Sequence, residues 1–303
     1  MTSAQLLQNL EVPNTPVDVV LDTDAYNEID DQFAISYLLR SPEKLHTKAI
    51  YAAPFYNENS VSPADGMEKS YAEIGKILGM LGTKTDVLKG SRQYLPDENT
   101  FVDSPAARDL VDRAKQYSPA KPLYVVAIGA ITNVASAFLI CPEIAENVVV
   151  VWLGGHARHF RDTKEFNMWQ DVAAARVVMG SGAPFVQLPC MGVVSEFRIS
   201  EPELKAWFCG KGKLADYLAD NTISAVRSYC SSAVWTRVIW DVTAVAWLLN
   251  DGDRFMDSRV VSTVLPTYDG TYEKKMIEKP MRYVYSIDRD ALMRDLIEKL
   301  TGN

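Results

Sequence analysis

Cysteine is scarce in this chain of 303 residues, and the four that occur stand far apart. They are Cys141, Cys190, Cys209 and Cys230, and no two of them form a C-x-x-C pair. A disulfide framework or a structural zinc site needs cysteines at closer, repeated spacing, so neither is expected. The pattern is typical of a protein from a reducing compartment such as the cytoplasm.

Basic runs and long apolar runs are also missing. The net charge is −8, from 39 acidic and 31 basic residues, which disfavours the phosphate backbone of a nucleic acid as a partner. No apolar stretch is long enough to span a membrane, and the N-terminal MTSAQLLQNLEVPNTP lacks the basic and apolar regions of a signal peptide. We therefore expect a soluble cytoplasmic protein with no nucleic-acid partner and no membrane partner.

Hydrophobic residues, at 48% of the chain, are abundant enough for a large core. Near-continuous apolar runs such as 123–129 and 147–153 are typical of strands inside a parallel sheet, and they alternate with segments of helical spacing. The alternation predicts an α/β fold, a Rossmann-like and largely parallel open sheet with helices on both faces. We expect one domain over residues 1–303, in which residues 1–16 form an N-terminal arm.

The most informative segment, VDVVLDTDAYNEIDDQFAISYLLR, runs from Val17 to Arg40. A short apolar strand ends at Asp22-Thr23-Asp24, and helical spacing begins near Ile29, so Asp30-Asp31 lies in the first turn of a helix. Helix capping would explain that second pair but not the first. Clustered carboxylates repel one another unless a cation neutralises them, so the segment predicts a metal site.

Other polar residues follow later strands. Asn57 comes after the second strand, and the turn from Gly129 to Asn133 follows a buried strand. Gly154-Gly155 ends the next strand and is followed by Glu165-Phe166-Asn167, and Trp240-Asp241 precedes an apolar helix. Ligands of open α/β sheets bind at the carboxyl ends of the strands, so these residues are candidates for one site. For Thr132 and Asn133, which lie in the turn that begins at Gly129, helix capping is the favoured interpretation.

In this order the segments resemble the inosine-uridine-preferring nucleoside hydrolase family over Asp22 to Asp241. The family's motifs are DTDxGxDDA, strand-G-x-[LI]-T-N, GG…EFN…D and HDPLAVA. Three departures are clear: the turn from Ala25 to Ile29 is two residues longer, His159 stands where the family has an asparagine, and Trp240 replaces the histidine that protonates the leaving base.

The resemblance implies a Ca²⁺ ion held by Asp22, Asp24, Asp31, Asp241 and the carbonyl oxygen of Ile128. An all-oxygen site with room for more than six ligands favours Ca²⁺ over the stricter octahedron of Mg²⁺. A cation there would bind the ribose diol together with a water and lower the pKa of that water. We nominate Asp24 as the base that takes the water's proton during attack on the anomeric carbon.

The resemblance also implies a small nucleoside or riboside as ligand, a role in purine and pyrimidine salvage, and a homodimer or homotetramer. The transition state would be oxocarbenium-like, with nearby carboxylates stabilising the ribosyl ring. Two loop histidines and a helix predicted over 221–235 are further candidates for ligand contact. The substrate-binding candidates are Asp30, Asn57, His156, His159, Glu165, Phe166, Asn167, Arg227, Tyr229 and Trp240.

Several interpretations stay open because Trp240 replaces the histidine expected from the family motif. His156 or His159 would supply the proton to the leaving base, or the natural leaving group needs none. A ribosyl-binding protein that has lost catalysis is a third interpretation. A Mg²⁺ phosphatase with a D-x-D strand end is a fourth, although it leaves Asp30-Asp31 and the EFN and WD segments unexplained.

Overall fold

The computed structural model describes residues 1–302, and an eight-stranded sheet lies at its centre. The strands are β1 (Val17–Thr23), β2 (Leu45–Ala52), β3 (Asp86–Lys89), β4 (Leu123–Ala127), β5 (Val148–Leu153), β6 (Phe185–Leu188), β7 (Arg198–Ser200), β8 (Thr236–Val238), β9 (Met256–Thr263) and β10 (Ile277–Ile287). The order in the main sheet is β3-β2-β1-β4-β5-β6-β10-β9. Every pairing in it is parallel except β10 with β9, and β7 pairs with β8 in a separate antiparallel sheet. The predicted largely parallel α/β fold is confirmed.

Helices cover both faces of this sheet. They are α1 (Ser3–Asn9), α2 (Asp31–Leu39), α3 (Pro63–Leu81), α4 (Pro105–Ala114), α5 (Thr132–Ile140), α6 (Phe166–Gln170), α7 (Val172–Gly180), α8 (Glu201–Trp207), α9 (Lys213–Tyr229), α10 (Val242–Trp247) and α11 (Arg289–Thr301). Side chains alternate along β1, so Val19 and Leu21 pack with α2, α3, α9, α10 and α11, whereas Val20 packs with α4, α5 and α7. Within residues 1–302, none of these helices has the length and hydropathy needed to cross a bilayer.

Two peripheral segments differ in detail from the sequence-based expectations. The arm over residues 1–16 contains a helix, α1, which Thr2 caps and which brings Leu10 into the core. The helix predicted over residues 221–235 is wrong in its bounds, because α9 begins at Lys213 and ends at Tyr229. Its buried positions recur at helical spacing from Leu214 onward, and the exposed residues 231–234 do not continue that stripe.

The carboxyl ends of the central strands meet at one edge of the sheet. β1 lies between β2 and β4, and β5 follows β4. The turns after β1, β4 and β5 therefore bring residues from three distant parts of the sequence together.

Candidate functional site

Three buried aspartates come together where β1 leads into α2. Asp30, Asp31 and Asp241 each offer a carboxylate oxygen, and these oxygens lie within 4.8 Å of one another. Asp30 occupies the N-cap position of α2 without a side-chain capping bond, and it accepts a hydrogen bond from the Asp241 backbone N–H at 3.2 Å. Asp31 accepts from the Thr23 hydroxyl at 2.5 Å. Capping therefore does not account for the Asp30-Asp31 pair.

Asp22 and Asp24 add two fully buried carboxyl groups at the end of β1. Asn133 Nδ2 donates to Asp22 Oδ1 at 2.7 Å. Among residues 1–302, Asp22 Oδ2 and both Asp24 oxygens have no hydrogen-bond partner. Buried carboxylate oxygens without a partner are costly, and a coordinated cation removes that cost. The residues thus fit a divalent cation.

Burial raises the pKa of every carboxyl group in this cluster. The pKa of Asp22 and of Asp31 rises to about 7, and that of Asp30 rises to about 8, with burial the largest cause. The pKa values of Asp24 and Asp241 lie well above the ordinary range because burial acts together with the neighbouring carboxylates. A divalent cation would invert this balance by favouring the charged forms.

A backbone carbonyl and an amide side chain border the cluster. Asn167 Nδ2 donates to the carbonyl oxygens of Ile128, at 3.1 Å, and Leu153, at 3.0 Å. Both amide hydrogens are therefore used within the protein. The Asn167 Oδ1 is the atom left to accept a hydrogen bond from a ligand.

Glu165 is held by the backbone of its own loop. Its carboxylate accepts from the N–H groups of Gly155, at 2.8 Å, Asn167, at 2.8 Å, and Met168, at 3.0 Å. These bonds cap α6 and oppose the rise in pKa that burial imposes on Glu165. Glu165 thus shapes the loop as well as facing the site.

A cavity of about 200 Å³ adjoins the cluster. Eight of the sequence-predicted residues line it: Asp30, Ile128, His156, Glu165, Phe166, Asn167, Trp240 and Asp241. Asp22, Asp24 and Asp31 are buried and do not line it, but they contact residues that do. Asp31 has an oxygen within 4.8 Å of those of Asp30 and Asp241, Asp24 interacts electrostatically with Asp30, and the Asp22 carbonyl accepts from the Ile128 N–H. The structure therefore brings most of the predicted site together.

Four other candidates lie outside this cavity. His159 is exposed, Arg227 is bound to Glu201 and to the Ser232 carbonyl, and Tyr229 is 67% exposed. Tyr229 and Asn57 line a neighbouring cavity of about 470 Å³ instead. Arg227 and Tyr229 lie in the last turn of α9, and neither of them lines the first cavity. The prediction that these two contact a ligand there is not supported by the geometry.

Asn27 was missed in the sequence and lies at the junction of the two cavities. It lines both, as does Glu28, and its Oδ1 accepts from Asn57 Nδ2 at 2.6 Å. Asn57 thus supports the first cavity through Asn27. The longer turn from Ala25 to Ile29, which contains Asn27, was the available signal.

The capping interpretation of Thr132 and Asn133 is wrong. Helix α5 has no side-chain cap, and the Thr132 hydroxyl donates to Asp171 Oδ2 at 2.6 Å. Asn133 instead holds Asp22 and accepts from the Ser91 N–H at 2.7 Å. Thr132 thereby connects the turn after β4 to the start of α7, and Asn133 connects it to β1 and to the turn after β3.

Gly129 provides a test of how closely Asp24 is packed. A Cβ at Gly129 would lie 3.0 Å from Asp24 Cγ and Oδ1, so Gly129→Ala should displace that carboxylate. We expect about tenfold weaker Ca²⁺ binding, measured by calorimetry, from a variant that still folds. Gly75→Ala is the matched control, since nothing lies within 4 Å of its Cβ. Equal calcium affinities in both variants would contradict the expected displacement.

The sequence matches the family model of the inosine-uridine preferring nucleoside hydrolases over residues 19–294. It is 27% identical over 222 residues to a probable uridine nucleosidase of Arabidopsis thaliana, covering 66% of this chain and 67% of that protein. It is 28% identical over 257 residues to a non-specific ribonucleoside hydrolase of Salmonella paratyphi B, covering 76% and 78%. The fold matches that of a plant nucleoside hydrolase with a TM-score of 0.74 at 19% identity, covering 95% of this chain and 100% of that one.

Proposed function

Because the chain belongs to the inosine-uridine preferring nucleoside hydrolase family and is a hydrolase of N-glycosyl compounds, we propose that it cleaves the N-glycosidic bond of a ribonucleoside or related riboside in a Ca²⁺-dependent reaction. The products would be ribose and the free base. The observation that carries the proposal is the set of unpartnered buried oxygens of Asp22 and Asp24 beside a cavity of about 200 Å³. A small riboside is the expected ligand of that cavity.

The cation would be held by Asp22, Asp24, Asp31 and Asp241, with the Ile128 carbonyl as a neutral ligand. Carboxylates and a carbonyl form the hard, all-oxygen donor set that Ca²⁺ prefers. When bound, the ion would supply charge that acidifies a water and orients the ribose diol. Asn133 and Thr23 would keep Asp22 and Asp31 in position through the bonds described above.

Asp24 would accept the proton of the attacking water. Its two oxygens have no other partner among the described residues, so one is free for a proton while the other faces the cluster. The surrounding carboxylates would stabilise the positive charge that develops on the ribosyl ring as the C–N bond breaks. Asn167 Oδ1 would hold a ribose hydroxyl, and Phe166 would pack beside the sugar.

His156 and Trp240 line the part of the cavity left for the base. His156 Nδ1 accepts from the Met191 N–H at 3.4 Å, and burial lowers the pKa of the imidazole. The neutral ring would then present its Nε2–H to the ligand. Trp240 offers an aromatic face but no acidic proton. Cytoplasmic location, nucleoside salvage and a homo-oligomeric state stay predictions.

The test is release of reducing sugar from a panel of purine and pyrimidine ribosides and a nitrophenyl riboside. Each substrate is assayed with added Ca²⁺ and with a chelator, and nucleoside binding is measured in parallel. We expect turnover of at least one riboside that stops with the chelator and returns with Ca²⁺. Binding without cleavage of every riboside would favour the ribosyl-binding interpretation, and cleavage of phosphate esters with Mg²⁺ would favour a phosphatase.

Glu165→Gln should impair riboside turnover and also loosen the loop. The glutamine would retain one acceptor oxygen, and its NH₂ group would face backbone N–H donors that now bind a carboxylate. Hydrogen bonds to a charged group contribute about 1.5–3 kcal/mol, so we expect roughly a tenfold or larger loss in kcat/KM and a lower melting temperature. Normal hydrolysis of ribosides by a folded Glu165→Gln variant would remove Glu165 from the proposal.

A further inference from the structure

The cavity beside the aspartate cluster is lined by more acidic than basic side chains. Glu28, Asp30, Glu165 and Asp241 line it, and Lys164 is its one lysine or arginine among the described residues. Lys164 is exposed, and its ammonium lies 5.0 Å from the centre of the Trp169 ring rather than against a carboxylate of the cavity. The Glu28 carboxylate is paired with Arg237, whereas the other three carboxylates have no cationic side chain bound to them. A positively charged ligand would balance the charge of these carboxylates, whereas a neutral ligand would leave them unbalanced.

The same cavity has an aromatic side. Trp240, Phe166 and His156 line it together with Met191. Trp240 and Phe166 are half-buried, so their rings are partly covered by protein and partly open to a ligand. A flat cation is attracted to such ring faces, and tryptophan is the strongest of them. The arrangement fits a planar, positively charged ring.

Beyond its carboxyl groups, which a bound cation would hold in their charged forms, the lining offers no well-placed proton donor for a leaving base. His156 Nδ1 accepts a hydrogen bond from the Met191 N–H. A ring nitrogen that accepts carries no proton, so the imidazole in this arrangement is neutral. Cys190 is buried, and its thiol bonds to Glu165, which stabilises the protonated thiol. Trp240 Nε1–H is not acidic at physiological pH. A base that leaves as an anion would need a proton that these groups do not deliver.

Resting on the proposed hydrolase function, we propose that the preferred substrates are N-ribosyl cations, in which the ribosylated ring carries a fixed positive charge, such as pyridinium or N-alkylated purinium ribosides. Cleavage of the C–N bond returns its electron pair to the ring nitrogen, and the base leaves as a neutral molecule. Water adds its oxygen to the anomeric carbon and gives one proton to a carboxylate. The balance is riboside cation plus water to ribose, neutral base and one proton, so no general acid is required.

The experiment compares matched pairs that differ in ring charge. kcat/KM is measured for 7-methyladenosine against adenosine and for nicotinamide riboside against uridine, and the neutral nitrophenyl riboside reports the basal hydrolase activity. Because cationic ribosides are intrinsically more labile, inhibition by 1-methylnicotinamide is compared with inhibition by uncharged nicotinamide. We expect the cationic substrates to be favoured by at least about 100-fold, the range that a missing general acid leaves. We expect the cationic inhibitor to bind about tenfold more tightly.

Variants at Trp240 and Lys164 separate the contribution of the indole ring from that of the lysine ammonium group. Trp240→Leu should reduce the preference for 1-methylnicotinamide about tenfold, and Trp240→Phe should retain most of it. Comparable turnover of adenosine and 7-methyladenosine would overturn the inference. Adenosine turnover that Lys164→Met abolishes would also overturn it, because the lysine would then be the missing proton donor. If the nitrophenyl riboside is cleaved but the cations have no advantage, only this inference fails. If no riboside is cleaved while Ca²⁺ binds, the proposed hydrolase activity fails with it.

Discussion

Asp24→Asn is expected to lower turnover by at least about 1,000-fold and to weaken Ca²⁺ binding at the same time. The amide keeps one oxygen and places a donor where two unpartnered carboxylate oxygens now lie. A general base alone contributes about 10²–10⁴-fold, and loss of a cation ligand adds to that. The metal-free variant should melt at the same temperature or higher, because the substitution removes a carboxyl group whose charged form is disfavoured by burial and by the nearby carboxylates of Asp31 and Asp30. Steady-state kinetics, calcium calorimetry and thermal melts together measure these effects.

Asp18→Asn is the matched control on the same strand. Asp18 accepts from the Tyr117 hydroxyl at 2.8 Å and pairs with Lys48 at 3.1 Å, and these contacts hold its pKa below the ordinary value although burial opposes them. Its substitution should reduce stability slightly and leave turnover and calcium affinity unchanged. If Asp24→Asn retained wild-type turnover, or lost stability in the manner of Asp18→Asn, the carboxylate would be structural.

Asn167→Ala should lower kcat/KM by at least about 100-fold. The change removes the donor from the carbonyls of Ile128 and Leu153, which the structure places at the cluster and the cavity wall. It also removes the amide oxygen that we assign to a ribose hydroxyl. A buried group left without its partner costs about 1–3 kcal/mol, and at least two such losses combine here. Riboside kinetics on the folded fraction measure the effect.

Asn250→Ala separates this effect from a general loss of buried hydrogen bonds. Asn250 is also buried, donates to the Met256 carbonyl at 2.7 Å and accepts from the Phe255 N–H at 2.7 Å, and it lines neither of the two cavities. We expect its alanine variant to melt at a lower temperature with unchanged kcat/KM per folded molecule. Equal kinetic losses in the two variants would show that Asn167 acts on stability alone.

Most of the fold could be predicted because strands inside a parallel sheet are buried on both faces. β4 and β5 are continuous apolar runs, and their bounds were placed within two residues of those observed. Helix α9 was placed worse, since its polar N-terminal half has an ordinary amphipathic pattern and the aromatic residues beyond it suggested continuation. The residues at which such a helix begins and ends depend on tertiary packing, which cannot be read from the sequence pattern.

The convergence of Asp22, Asp24, Asp30 and Asp31 could be predicted from the turn alone, since a strand end and a helix start are adjacent in sequence. Asp241 lies far away in the sequence, and only its resemblance to the family motif pointed to it. The supporting contacts could not. Asn133 reaches Asp22 across 111 positions, and Asn57 reaches Asn27 across 30, so no local spacing describes either bond. Asn and Thr after a strand also have a common alternative as helix caps, which favoured the wrong interpretation for Thr132 and Asn133.

The most direct measurement is riboside turnover by chelator-treated protein as Ca²⁺ is added back, with bound calcium counted in the same samples. The aspartate cluster predicts that turnover rises in proportion to bound calcium and saturates at one ion per chain. Asp24→Asn and Asp241→Asn should both lower the occupancy reached at a given free Ca²⁺ concentration. Full turnover in samples that retain no calcium or other divalent ion, or calcium binding of wild-type affinity in both variants, would contradict a catalytic cation at this site.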